Sequence, residues 1–430
     1  MKLLAAVMGS FVVAVSAVLV PLSPTGAAMA PPNAADSVLP SYSAFYAYKG
    51  STPLRDIKPG TILKKRTITV TIDDYDLPFK ADQLLYRTTG QLGQPTVTVT
   101  TLIRPLVPVG TKIVSYQTAY DALGSECDPS YTLAGGNTAD STGTAETAVI
   151  GLYLAAGYYV DVSDYEGTNL DFVAGQESAY GTLDAIRAGE HDLGAPASTE
   201  VGLVGYSGGS IASEWASELA PTYAPELHIV GVAEGGIPVD LAHNLNYVNG
   251  SPAWSGVIPA VVLSLARAFD INLTPYLSAY GVKITKQVQQ ECIASFLGAY
   301  PGLTVQQLLK PQYQDFLAIP VFRKIVNTLL MGSVPGRPAG PLFMGVGNVD
   351  GTGDGVMVTK DVEGLAHEYC AQGVNVQFNM YKGLNHDNAA IPFEVQAAAF
   401  LEQRFLGVPA VNGCSTIGTG NSLAPLPASN

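Results

Sequence analysis

A chain of 430 residues that is 47% hydrophobic and only 13% charged carries enough apolar material for a large core and is too apolar to be disordered. Its formal charge of −14 opposes electrostatic binding to nucleic acid or to an anionic membrane surface and leaves an uncharged lipid interface open.

At the start, Lys2 precedes the apolar run LLAAVMGSFVVAVSAVLV and the small-residue stretch TGAAMA. This is the pattern of a secretory signal over residues 1–30, cut near Ala28 or Ala30. The run is nearly long enough to span a bilayer, so an uncleaved anchor is the competing reading. No later stretch reads as a membrane span; the most apolar, SGVIPAVVLSLARAF, is broken by Pro259 and Arg267. Four cysteines in an exported chain imply two disulfides, with three connectivities open.

Beyond the signal, KKRTITVTI and PTVTVTTLIRP alternate as antiparallel strands do. KIVSYQTAY, AGYYVDVSDY, VGLVGYS, LHIVGVAEGG, PLFMGVG and VNVQFNMYKG are short runs rich in β-branched and aromatic residues. Helical patterns such as AETAVIGLYLAA and YGTLDAIRAGE separate several of them. This alternation predicts an α/β fold, a mostly parallel central sheet with helices on both faces. Residues 238–338 interrupt it with helical patterns, among them TKQVQQECIASFLGAY and TVQQLLKPQYQDFLA, and no convincing strand. The chain then returns to a core strand at Leu342, so the interruption reads as an inserted helical cap between core segments 31–237 and 339–415. The polar, Pro- and Ser-containing stretch 416–430 reads as a frayed tail.

The run VGLVGYSGGS, residues 201–210, places Ser207 between Gly205 and Gly209 where a strand gives way to a helix carrying Ile211, Trp215 and Leu219 on one face. That is the G-x-S-x-G turn of a nucleophilic serine, and a plain tight turn is its bland alternative. A serine hydroxyl needs a base, and the base needs an orienting group. In such a sheet the reactive loops lie at the carboxyl ends of the strands. His191, in a loop before the serine's strand, and His228, at a strand's start, belong to the opposite edge. His367 lies mid-helix in DVEGLAHEYCAQ, where a packing role is ordinary. His243 opens the insertion and stays a candidate, but His386 in KGLNHDNAA follows a strand at the reactive edge and is favoured as base.

For the acid, NVDGTGDGVMV offers Asp350 and Asp354. A calcium loop fits poorly, because Asp361 stands where the closing Glu belongs and a strand precedes the loop. The oxyanion hole takes one amide from Gly208 and another from the loop YDALGSECDPSY, with Asp121 its candidate. An ionised Asp121 would repel an oxyanion, so it acts through its backbone N–H or as the neutral acid. Asp164, at another strand end, reads as structural.

Together the segments QLLYRTTGQLGQPTVTVTTLIRP, KIVSYQTAYDAL with CDPSY, VGYSGGS, AEGGIP, GDGVMV and LNH resemble, in this order, the secretory lipase family of α/β-hydrolases with a helical cap. The resemblance implies Ser207 as nucleophile, Asp354 as acid, His386 as base, and Asp121 with Gly208 as the oxyanion hole. The family's D-x-x-V-P reads DGVMV here. It further implies disulfides Cys127–Cys292 and Cys370–Cys414, acylglycerol ester substrates, no cofactor and no metal. The expected protein is thus a secreted triacylglycerol lipase, with a monomer assumed and the oligomeric state left open. A short-chain carboxylesterase, a serine peptidase or a non-catalytic lipid-binding protein on the same fold are the alternatives.

Overall fold

The computed structural model of the chain describes residues 38–72, 75–136, 143–313 and 315–427. The expected signal segment lies outside the described residues. Among those described, no helix is long and apolar enough to cross a membrane.

Nine strands form one sheet: β1 (Ile62–Ile72), β2 (Tyr75–Thr89), β3 (Pro95–Ile103), β4 (Ile113–Gln117), β5 (Tyr159–Ser163), β6 (Glu200–Tyr206), β7 (His228–Gly235), β8 (Leu342–Asn348) and β9 (Val376–Lys382). Their spatial order is β1-β2-β3-β5-β4-β6-β7-β8-β9. The first three are antiparallel, β3 meets β5 antiparallel, and everything from β5 to β9 is parallel. β2 is not evident from the sequence. Pro78 and the charges Asp76, Lys80 and Asp82 interrupt its apolar pattern. The structure accommodates the proline where β2 has run past the end of β3 and its register with β1 shifts between Thr69 and Thr71.

The principal helices are α1 (Gly143–Ala155), α2 (Gly175–Leu193), α3 (Gly208–Tyr223), α4 (Leu241–Val248), α5 (Val257–Ala268), α6 (Ala279–Val288), α7 (Pro320–Thr328), α8 (Thr359–Ala371) and α9 (His386–Phe405). Because strand side chains alternate between faces, neighbouring residues enter different cores. Ile113, Leu203 and Leu342 join α2, α3 and α8 on one face, while Val114, Val204 and Phe343 join α1 and α9 on the other. The sheet is therefore buried on both sides, as its near-continuous apolar strands require.

Helices α4 to α7 all fall between β7 and β8. Two long helices expected there are shorter in the structure. After α6 ends at Val288, only a single turn, Ile293–Phe296, follows. Cys292 caps that turn and is bonded to Cys127, and Leu123 N–H donates to Glu291 O at 3.0 Å. TVQQLLKPQYQDFLA yields the turn Val305–Leu308, after which Leu309 pairs with Leu277 and Pro311 stops any continuation. His191, read as a loop residue, occupies the last turn of α2.

The disulfides are Cys127–Cys292 and Cys370–Cys414. The first ties the loop after β4 to the segment between β7 and β8; the second ties α8 to the C-terminal stretch. Residues 416–427, which composition marks as frayed, are held by specific bonds. Asn421 Nδ2 donates to Asp361 Oδ1 at 2.7 Å, Leu426 N–H to Asn327 Oδ1 at 2.8 Å, and Leu423 is buried.

Two outcomes are expected. The bridges close loops of 165 and 44 residues, so paired Cys→Ser replacement should lower unfolding free energy by about 5 and about 4 kcal/mol respectively, read by chemical denaturation. The second concerns pH. Burial pushes the carboxyls of Asp161, Asp164 and Glu394 up to about 7 and that of Glu234 up to about 8. These groups hold protons in the folded chain that the unfolded chain releases above the ordinary carboxylate range. Their stabilisation is therefore complete in acid and is lost as pH rises through 7 to 8. The melting temperature should fall from pH 5.5 to pH 9, which scanning calorimetry at matched ionic strength measures.

Candidate active site

Ser207 occupies the junction of β6 and α3 with φ 55° and ψ −124°. A non-glycine residue holds such angles only where its surroundings over-determine them. Ser207 N–H donates to Gly235 O on β7 at 2.8 Å, and Ser210 Oγ donates to Ser207 O at 2.5 Å. The flanking glycines answer to close approach. A Cβ on Gly205 would lie 2.2 Å from Gly209 O, and one on Gly209 would lie 2.0 Å from Gln117 O at the end of β4. Any side chain there would push α3 off the strand ends.

Around this turn the structure brings together three residues distant in sequence. His386 Nε2 lies 2.7 Å from Ser207 Oγ, and His386 Nδ1 lies 2.8 Å from Asp354 Oδ2. Asp354 is fully buried; its other oxygen accepts from the amides of Val356 at 3.0 Å and Met357 at 2.7 Å. The backbone is pinned as well: His386 N–H donates to Asp354 O at 2.9 Å, and Tyr206 OH to His386 O at 2.7 Å. Trp254 meets the imidazole edge-on at 5.3 Å between ring centroids. With Nδ1–H turned to the carboxylate, Nε2 is free to accept the serine proton.

The other candidates lie elsewhere. Asp350 is a turn residue: Oδ1 accepts from Thr352 N–H at 2.8 Å and Gly353 N–H at 2.9 Å, and Oδ2 from Tyr247 OH at 2.9 Å. His243 Nδ1 pairs with Asp361 Oδ2 at 3.0 Å. His191, His228 and His367 are exposed. Asp164 binds Ser130 through N–H at 2.8 Å and Oγ at 2.5 Å, a structural role.

Asp121 sits directly over the serine's neighbour. Its φ is 38°, and a Cβ on Gly208 would collide with the Asp121 carboxyl. The loop is fixed on both sides, with Ala119 N–H donating to Glu146 at 3.0 Å and Ala122 N–H to Glu166 at 3.0 Å. Burial raises the Asp121 carboxyl to about 7, although His386 pulls it the other way. At mildly acid pH it is therefore a neutral acid.

Ser207, Gly208 and Asp121 line an apolar pocket. Its walls include Ile211 from α3, Leu245 from α4, and Ile258 and Val261 from α5. Helix α4 also holds the loop that carries Asp354: Asn244 Nδ2 donates to Val356 O at 2.7 Å, and Tyr247 OH accepts from Gly355 N–H at 3.1 Å. Asn244, Tyr247, Trp254 and Tyr206 carry no local sequence signal for these roles. They are ordinary helix, strand and turn residues until the fold brings them to the site.

A model of the secretory lipase family matches residues 136–413. Lipase 10 of Candida albicans is 33% identical over 412 residues, 90% of this chain and 86% of its own. A secreted triacylglycerol lipase of Malassezia globosa, LIP4, is 30% identical over 375 residues, 84% of this chain and 80% of its own. A Mycobacterium tuberculosis relative described as a probable inactive lipase is 31% identical over 384 residues, 86% and 84% of the two chains. In structure, Candida antarctica lipase A in its closed state superposes with a TM-score of 0.79 at 29% identity over 93% of both chains. With family match, full-length relatives and fold in agreement, the chain belongs to the secretory lipase family.

Proposed function

We propose that this protein is a secreted triacylglycerol lipase that cleaves acyl esters through an acyl-enzyme on Ser207. The continuous hydrogen-bonded series Ser207–His386–Asp354 beside an apolar pocket carries the reading. It matters because one relative bears an inactive description, so family membership alone does not supply activity.

In the first step Ser207 Oγ attacks the ester carbonyl as His386 Nε2 takes its proton. The C–O⁻ that forms is held by the amides of Gly208 and Asp121, each worth roughly 3 kcal/mol of barrier. Asp354 keeps Nδ1 protonated and stabilises the imidazolium. The intermediate expels the alcohol, which leaves with the proton from Nε2. Water, deprotonated by the same nitrogen, then attacks the acyl-enzyme; the acid departs and Ser207 recovers its proton. Each proton is passed and returned within the site. The segment 238–338, whose α4 and α5 supply pocket walls, acts as a cap over the acyl chain. Two disulfides suit an oxidising, extracellular location.

Initial rates on p-nitrophenyl esters from acetate to palmitate, beside emulsified triacylglycerol, test the function; turnover confined to soluble short esters would make it a carboxylesterase. Ser207→Ala and His386→Ala should each cost on the order of 10⁶ in kcat with the fold intact. A phosphonate should label Ser207 alone. Asp354→Asn should lose up to about 10⁴-fold, whereas Asp350→Asn should act mainly on stability. A larger rate loss for Asp350→Asn would place the acid there.

Asp121 adds a pH prediction. As pH rises through about 7 its carboxyl ionises beside the oxyanion, and the repulsion should lower kcat on that limb. Asparagine keeps the backbone amide, tolerates the positive φ and never ionises. The kcat profile of Asp121→Asn should therefore stay level where the wild type declines.

A further inference from the structure

The peptide unit that joins Asp354 to Gly355 is tied at both ends. Its carbonyl, Asp354 O, accepts from the backbone N–H of His386 at 2.9 Å. Its amide, Gly355 N–H, donates to the hydroxyl of Tyr247 at 3.1 Å. One anchor is thus the residue that carries the imidazole. The other is a side chain of α4, in the segment between β7 and β8.

The tyrosine meets this turn on both sides of Asp354. A Cβ on Gly353 would lie 2.8 Å from Tyr247 Cε1, so the ring covers the residue before the aspartate while the hydroxyl takes the residue after it. The same hydroxyl donates to Asp350 Oδ2 at 2.9 Å. Burial pushes the Asp350 carboxyl up, but the amides of Gly353 and Thr352 outweigh it and hold the group below its ordinary value. Asp350 is therefore ionised at neutral pH. An ionised carboxylate only accepts, and a backbone N–H only donates. The phenolic proton must point to Asp350, and a lone pair of the same oxygen to Gly355.

Gly355 needs such an anchor. Its φ is 112°, and a residue without Cβ has no side chain to hold its peptide plane. The turn's own bonds do not reach this amide. Asp354 Oδ1 accepts from the amides of Val356 and Met357, and Asp354 N–H donates to Met357 O at 3.1 Å. With the hydroxyl removed, the plane can rock about its carbonyl anchor, turning ψ of Asp354 against φ of Gly355 and shifting the carboxylate relative to Nδ1.

We propose that Tyr247 is a positioning residue for Asp354: its hydroxyl fixes the peptide plane after the aspartate and so keeps the carboxylate in line with His386 Nδ1. The inference rests on Ser207, His386 and Asp354 as the reacting series. It gives α4 a part in the chemistry as well as in the pocket. It also gives Asp350, the rival acid in the sequence, the task of orienting the tyrosine.

The test is a double-mutant cycle of Tyr247→Phe with Asp354→Asn, with rates counted per Ser207 titrated by phosphonate so that unfolded chains drop out. Phenylalanine keeps the ring on Gly353 and removes only the hydroxyl. In the wild-type background kcat for p-nitrophenyl acetate and dodecanoate should both fall about tenfold, the effect of one net hydrogen bond. KM should stay within about twofold, because Tyr247 is not among the described residues that line the pocket. In the Asp354→Asn background the same replacement should change kcat by no more than about twofold, since the charge to be aligned is already gone. A merely structural role would lower both backgrounds alike. An equal loss in the two backgrounds, a loss confined to KM, or an unchanged kcat overturns the proposal. A second readout needs no turnover. The low-field NMR proton of His386 Nδ1–H, assigned by its absence in His386→Ala, should move or broaden in Tyr247→Phe; an unchanged resonance also overturns the proposal. Wild-type enzyme that hydrolyses neither ester while this resonance responds would refute the lipase reading and leave the placement of Asp354 by Tyr247 supported.

Discussion

The site depends on one steric constraint, the approach of the start of α3 to the ends of β4 and β6. With Gln117 O 2.0 Å from where a Gly209 Cβ would stand, and Gly209 O 2.2 Å from a Gly205 Cβ, helix and strands meet as bare backbone. That contact forces Ser207 into positive φ and lifts its hydroxyl above the sheet. It also puts Gly208 under the Asp121 loop. Widening the contact by a single methyl group would misplace Ser207 and Gly208 together, and a displacement near 1 Å at a reacting centre costs about 10²-fold in rate.

Several carboxyl groups are buried along α3 and β7. Glu214 and Glu218 on α3 and Glu234 on β7 are all buried, and Tyr369 on α8 donates to Glu214 and, at 3.0 Å, to Glu218. Glu218 in turn accepts from the amides of Gly332 at 2.5 Å and Val334 at 3.1 Å, where the chain leaves the segment between β7 and β8. Burial holds these carboxyls well above their usual range, so they serve as neutral hydrogen-bonding acids rather than as charges. Asp121 belongs to the same regime. A chain with a formal charge of −14 thus keeps part of its acidity protonated and inside.

Helix α4 joins the two halves of the site. One face forms pocket wall through Leu241, Leu245 and Val248. Asn244, which lines the same pocket, and Tyr247 hold the loop that carries Asp354. Eight residues therefore connect the shape of the apolar pocket to the loop that meets the imidazole. Neighbouring His243, a candidate base on sequence grounds, serves the same junction through its pairing with Asp361 on α8.

Features fixed by short-range physics were legible in the chain. Strand and helix periodicities announced a two-faced, mostly parallel sheet, and the glycines around Ser207 announced a turn where backbone must touch backbone. The position of His386 beside Ser207 followed from its place after a strand at the same edge of the sheet, a matter of chain order. Other features depend on partners far away in sequence, and these only the folded chain decided. Asp350 and Asp354 share one glycine-rich turn, and nothing local tells which of them meets His386; in the fold it is Asp354, 2.8 Å from an imidazole 32 residues on. β2 was hidden because its proline is accommodated at a register shift beside β1 and its Asp82 is matched by Lys65 and Arg104, partners that only the folded sheet supplies. The helical pattern around Cys292 gave way because a disulfide 165 residues long in sequence holds that residue to Cys127. The C-terminal stretch looked loose because its anchors, Asp361 and Asn327, lie on distant helices. Periodicity and steric exclusion act within a few residues and can be read from them. Hydrogen bonds, disulfides and pocket walls join residues whose proximity exists only once the sheet has formed.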